Sequence, residues 1–334
     1  MNTSIETSKL VIDPDGDVVL VLEESTELQV SSKGLSLASS VFKAMFSPHF
    51  QEGQDLSGPR PKRISLPEDD AEAMTTLCYI IHHRSHSVSK MPQHSTLVEI
   101  GFLCDKYDCS EALESWSKTW LNPYQQDVTL GLAGMKHLLF PFYAFNDLDS
   151  FKQISIMTVY HTKGFLNKPE TTGSLPNGVL GKVPPFISRV FETDGYGTEL
   201  LQRKKWEVEC QLSNGLSTLA GLITYNEIQL VSSITPASHR IWRHHRELKR
   251  LGIWPLATAL LSSSISTVCT DLEKYEGKNR TSCECSGCTV NLEQAVRRAG
   301  SDAMQSFEGL CLDCIKLGIT KTGDFEECSV HRKQ

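Results

Sequence analysis

Between Glu27 and Pro48 the apolar period of the chain changes from two to four inside one short segment, ELQVSSKGLSLASSVFKAMFSP. Leu28 and Val30 alternate with polar neighbours, as on one face of a strand. Leu37, Ala38, Val41, Phe42, Met45 and Phe46 then recur at spacings of four, the stripe that a helical hairpin turns toward a core. Ser39 sits where a hydroxyl can accept from the free amides of a new first turn, and Pro48 ends the pattern.

The flanks extend this unit. Asp13, Asp15, Asp17 and Glu24 fall at positions one, three, five and twelve of a calcium loop, but Val18 stands where the sharp-turning glycine is required. Val18 to Leu22 is instead a continuous aliphatic run entered through a Pro/Asp/Gly turn, as in a buried strand. A short strand is predicted from Arg63 to Leu66. Asp69, with Glu72 in capping-box position, opens a helix carrying Ala73, Leu77 and Ile81, and Thr96 with Glu99 opens another carrying Leu97, Ile100, Cys104 and Tyr107. A further short helix is predicted around Leu113, Trp116 and Trp120.

Strand, strand, helical hairpin, strand, helix, helix is the order of a BTB (POZ) domain, and the wording GDVVLVL, LQVSSKGLSLASSVFKAMF, ISLPEDDAEAM and LCDKYDC closely resembles that family, particularly its members in filamentous fungi. The resemblance covers residues 10–121 and implies a non-catalytic interaction module, a small sheet flanked by helices, used for homodimerisation or partner recruitment. It also implies that Asp17 and Lys33 line a charged dimer pocket, although Ser32 replaces the family's histidine before the basic residue. Val41, Phe42, Met45 and Phe46 form the core of the motif. Adaptors of cullin-type ubiquitin ligases often carry an apolar-x-Glu motif after the hairpin. Met45-Phe46-Ser47 has no carboxylate there, so a cullin scaffold is a secondary expectation for a partner.

The remaining chain divides by composition. Residues 1–9 read as a flexible start, 122–270 as a mainly helical extension broken by the Pro/Gly-rich stretch from Asn167 to Pro185, and 271–334 as a Cys/His-rich tail. Within the extension, Arg240, Arg243, Arg246, Lys249 and Arg250 surround Trp242, a pattern that meets phosphates in some proteins. The net charge of -7 weighs toward a solvated face and against nucleic acid as a partner. The polar start MNTSIETSKL and the lack of a long apolar run predict an intracellular chain, in cytoplasm or nucleus, with no membrane partner.

Seven candidate metal ligands cluster in the tail: Cys283, Cys285, Cys288, Cys311, Cys314, Cys328 and His331. Close-spaced pairs separated by a loop suit tetrahedral zinc, either as three thiolates with an imidazole or as four thiolates, and spacing alone leaves both open. A redox Cys-x-x-Cys is the rival, but Cys311-Leu312-Asp313-Cys314 lies in a Gly-bounded apolar stretch with another Cys/His pair beyond it. A fully ligated zinc has no vacant position for substrate and is structural. With no nucleophile motif or phosphate loop, the sequence reads as a non-enzymatic interaction scaffold; a cullin adaptor, a nucleic-acid-binding regulator and a thiol redox protein are the alternatives.

Overall fold

The computed structural model describes residues 9–22, 26–126, 135–163, 204–205, 207–210, 216, 236–277 and 291–316, with backbone alone at 135–137 and 236–242. The sheet contains β1 (Lys9–Val11), β2 (Val18–Val21), β3 (Glu27–Val30) and β4 (Lys62–Ser65) in the order β1-β3-β2-β4. β2 lies inside the sheet, antiparallel to β3 with Leu20 opposite Leu28, and parallel to β4 with Leu20 opposite Ile64. Its unbroken Val18-Val19-Leu20 run is buried, as a strand covered on both faces requires. β1, for which the sequence carried no strand signal, pairs parallel with β3 as the edge and leaves Val11 exposed.

The helical hairpin is α1 (Ser32–Ala38) and α2 (Ser40–Met45), broken by Ser39 in extended conformation. Ser39 Oγ accepts the Phe42 amide at 2.9 Å and donates to the Tyr107 carbonyl, so one hydroxyl starts α2 and ties it to the end of α4 (His94–Tyr107). In α3 (Ala71–Ile81) the capping residue is Asp70, which accepts from Ala73 N at 2.8 Å. Asp69, predicted as the first residue of that helix, is instead buried and accepts from Lys106 Nζ at 2.6 Å and from the Tyr107 hydroxyl at 2.5 Å. Two adjacent aspartates could each serve as the cap; the one with a partner on α4 was drawn inward.

α5 (Ser110–Gln126) runs through the expected boundary at 121/122 without interruption. α6 (Met135–Ala144) crosses α4 closely at Gly101, where an added Cβ would stand 3.0 Å from Pro141 Cα. α7 (Leu148–His161) is capped by Asp147, whose carboxylate receives the Ser150 amide and hydroxyl and, from α5, the Ser117 hydroxyl at 2.6 Å. The extension is therefore built onto the N-terminal unit by shared side chains.

Beyond it come α8 (Pro236–Arg250), α9 (Leu256–Ser262), α10 (Ile265–Leu272), α11 (Leu292–Gln305) and α12 (Leu312–Lys316). One hydrophobic core continues from Ile12 to Ile315. A tail unable to bury a core of its own is the expectation from 271–334 in isolation; the described part instead inserts Leu292, Val296, Phe307, Leu310, Leu312 and Ile315 into the common core. Tyr160 and Ser155 of α7 fasten it: the Tyr160 hydroxyl accepts Phe307 N at 2.9 Å, and Ser155 Oγ accepts Leu310 N at 2.8 Å. Gly309, at φ +97°, passes so close to Lys152 that a Cβ would stand 2.8 Å from its carbonyl oxygen, so only glycine fits this turn.

Candidate functional site

The start of α1 concentrates polar connections from three parts of the fold. Asp17, just before β2, accepts Ser32 N at 2.7 Å through one carboxylate oxygen and Ser32 Oγ at 2.6 Å through the other. A negative charge at a helix N-terminus is favourable there, so Asp17 has a structural task within its own chain. Ser31, the N-cap, accepts Gly34 N at 3.2 Å and donates its own amide to His82 Nε2 at 3.0 Å. His82 Nδ1 lies 2.8 Å from the Cys78 carbonyl, so the two bonds together place the ring proton on Nδ1. Lys33 is exposed and forms no ion pair among the described residues, so Asp17 and Lys33 adjoin the same helix start without binding each other.

The hairpin stripe divides between core and solvent. Phe42 is fully buried and stacks on Tyr107, ring centroids 4.1 Å apart, and on Phe46 at 5.8 Å. Met45 packs against the core while half-buried. Val41 departs from its expected core position and is 36% exposed, while Leu37 is 81% exposed. The reason is the extended break at Ser39: spacing by four holds only along a continuous helix, and the break gives the α1 core position to Leu35. Two aliphatic side chains are thus left in water on a hairpin whose polar start is already satisfied internally.

This arrangement of small mixed sheet, capped hairpin and packed helices coincides with a family match: residues 15–120 fit the model of the BTB/POZ domain. The N-terminal part of this chain is a BTB/POZ domain. No curated protein and no solved structure matches the chain. BTB domains are generally protein-protein interaction modules rather than enzymes. No described helix is long and apolar enough to cross a membrane.

Cys78 and Cys104 of the BTB domain and Cys269 of the extension are buried. Burial pushes the Cys78 thiol upward, the hydrogen bond with Cys109 and then burial push the Cys104 thiol upward, and burial pushes Cys269 in the extension up to about 11. For Cys269 this means roughly a hundredfold less thiolate than an ordinary cysteine at the same pH. Iodoacetamide at pH 8 should label Cys78, Cys104 and Cys269 roughly a hundredfold more slowly in the native chain than after unfolding in guanidinium, read by peptide mass. Equal rates would contradict these burials.

Of the seven candidate zinc ligands, Cys311 and Cys314 lie among the described residues, while Cys283, Cys285, Cys288, Cys328 and His331 lie outside them. Cys311 packs against Cys314 at the start of α12, in a small cluster of their own apart from the common core. No group of three or more metal-ligating side chains occurs among the described residues.

The basic helix singled out by sequence is α8, where Arg243, Arg246, Lys249 and Arg250 are exposed; the side chains of Arg240 and Trp242 lie outside the described residues. Arg250 is bound to Glu247 at 2.6 Å. His244 of the same helix is buried against the Tyr275 hydroxyl at 2.9 Å, and burial, with His245 beside it, pushes its pKa down to about 4. Among the described residues, the exposed aromatic beside this helix is Trp254, past the turn that ends it, stacked on His245 with centroids 4.6 Å apart. Sequence reasoning missed it because the contact crosses the turn after α8.

Proposed function

We propose that the protein is a non-enzymatic interaction scaffold whose BTB domain self-associates through the α1–α2 hairpin. The observation that carries this reading is the exposure of Leu37 and Val41 on that hairpin. Apolar side chains gathered on a rigid element gain about 25 cal/mol for each Å2 withdrawn from water, and a second copy presents the same surface in return. Asp17, Ser31 and Ser32 support it by holding the start of α1 in place within one chain, so that association requires no rearrangement of the helix. Lys33, exposed beside this surface, remains available to a carboxylate of the partner copy.

Zinc belongs to the same proposal. Four ligands drawn from Cys283, Cys285, Cys288, Cys311, Cys314, Cys328 and His331 would hold it, and the donor set of soft thiolates with one imidazole fits that ion. Cys311 and Cys314 support a half-site because they touch each other while Leu312 and Ile315 between and beside them supply the core contacts. When bound, the ion would fasten the tail to α12 as a structural link. Among the alternatives, a cullin adaptor lacks its carboxylate at Ser47, and the charge of -7 disfavours nucleic acid. Cytoplasm or nucleus remains the expected location.

The test is the native mass of the full chain beside Leu37→Asp. The wild type is expected to associate with zinc bound, and Leu37→Asp to lose the association made through the hairpin while retaining its fold and zinc, since the side chain is already in water. A variant that associates as tightly as the wild type would overturn the seam; a wild type free of zinc would overturn the metal reading alone.

A further inference from the structure

A groove of about 940 Å3 runs between α10 and α11. At its floor the helices touch closely, Gly300 resting on Cys269 and Leu272. Short polar side chains, Ser266 and Thr270 from α10 and Ser301 from α11, form the walls together with Glu273, Arg298 and Asp302. Arg297 is already engaged by Glu293 of its own helix at 2.7 Å. Arg298 and Asp302 are both exposed, and neither has an ion-pair partner among the described residues.

These two unpaired charges have opposite sign and stand four residues apart on the exposed face of one helix, about 6 Å along its axis. Acid before base is the favourable order for a pair within a helix, and here the base comes first. Between two copies the order is irrelevant and symmetry decides. A two-fold axis crossing the helix at the level of Gly300 sets Arg298 of each copy opposite Asp302 of the other, so the pattern is self-complementary and the attraction is counted twice. The groove adds room beside it: its short side chains allow a neighbouring helix within the 8–10 Å at which helices pack, and Glu273 on the facing wall places a second carboxylate beside an incoming guanidinium.

We propose that this face of α11 pairs antiparallel with α11 of a second copy of the chain, as a self-association seam separate from the BTB hairpin. It uses none of the residues of α1 or α2. Together with a BTB seam it would join dimers into larger even-numbered assemblies; alone it would give a dimer.

Charge exchange tests it, because a two-fold seam makes a prediction that no other occupant of the groove shares. Arg298→Asp places two carboxylates opposite two carboxylates, and Asp302→Arg two guanidinium groups opposite two others, so each variant repels itself. Mixed, they attract. Tagged full-length Arg298→Asp is therefore expected to capture untagged Asp302→Arg about tenfold better than it captures untagged Arg298→Asp, at low ionic strength. The difference should shrink in 1 M salt. The double variant Arg298→Asp/Asp302→Arg restores both contacts and should associate better than either single variant. Both side chains are exposed, so folding is not at stake, and all captures are made in the Leu37→Asp background so that association through the BTB hairpin does not mask the difference. Equal capture in the two mixtures, or a double variant that associates no better than either single variant, would overturn the seam while leaving the BTB reading untouched.

Discussion

Cutting the chain after Gln126 is expected to leave a BTB fragment that does not stay folded and soluble on its own. The cut removes Phe140 from Phe102, with ring centroids 4.5 Å apart, Phe145 from Trp120 at 5.6 Å, Pro141 from Gly101, and the Ala144 carbonyl from the Cys104 thiol. It also strips the Ser117 hydroxyl of its bond to Asp147. Losing the packing of one buried aromatic side chain to alanine costs about 3–5 kcal/mol, and a domain has only about 5–15 kcal/mol in total, so losing several such contacts at once is enough to unfold it. Circular dichroism and light scattering of residues 9–126 beside the full chain check it. A fragment that melts cooperatively at the temperature of the full chain would show that α6 and α7 are accessories to the BTB fold rather than part of its core.

Phe42→Ala is expected to cost about 3–5 kcal/mol, while its neighbour Val41→Ala costs under about 1 kcal/mol. Phe42 lies between the rings of Phe46 and Tyr107, and Tyr107 is held by Asp69 and by the Ser39 hydroxyl on its carbonyl. The cavity left by alanine would open at the point where α2, α4 and the loop before α3 meet. Chemical denaturation of the two variants measures the difference directly through the midpoint at constant slope. Similar losses at the two positions would mean that the hairpin stripe faces the core on both sides, against the observed break at Ser39.

That pair of neighbours also shows how far sequence could be read. Alternation at Leu28 and Val30, the aliphatic run from Val18 and the cap at Ser39 all stated local facts, and each became the matching element. Periodicity puts Val41 in the core because it assumes an unbroken helix, whereas one extended residue at Ser39 resets the phase. Asp69 and Asp70 were equivalent as caps until Lys106 and Tyr107 came near enough to choose between them. β1 had only three residues and an edge position, too little to produce alternation. Long-range joins such as Tyr160 to Phe307, or Ser117 to Asp147, leave no trace in local pattern at all.

The candidate surfaces follow the same division. Leu37 and Val41 became visible as an exposed pair only through the break that separates α1 from α2, and the charges of Arg298 and Asp302 only once Arg297 was seen to be satisfied by Glu293. Trp254, beyond the turn that follows α8, likewise depends on its stack with His245. Composition fixed the acidic balance that weighs against nucleic acid, while the partner-facing side chains are a matter of which residues the core left over.

Backbone hydrogen exchange of the full chain across a concentration series tests the central claim most directly, because it locates self-association rather than only detecting it. Amides of α1 and α2, residues 32–45, are expected to exchange more slowly as concentration rises through the association range, while those of α4, already covered by α6 within one chain, stay unchanged. Association accompanied by no change in residues 32–45 would contradict the account, and would place the BTB domain's partner-binding surface somewhere other than its exposed hairpin.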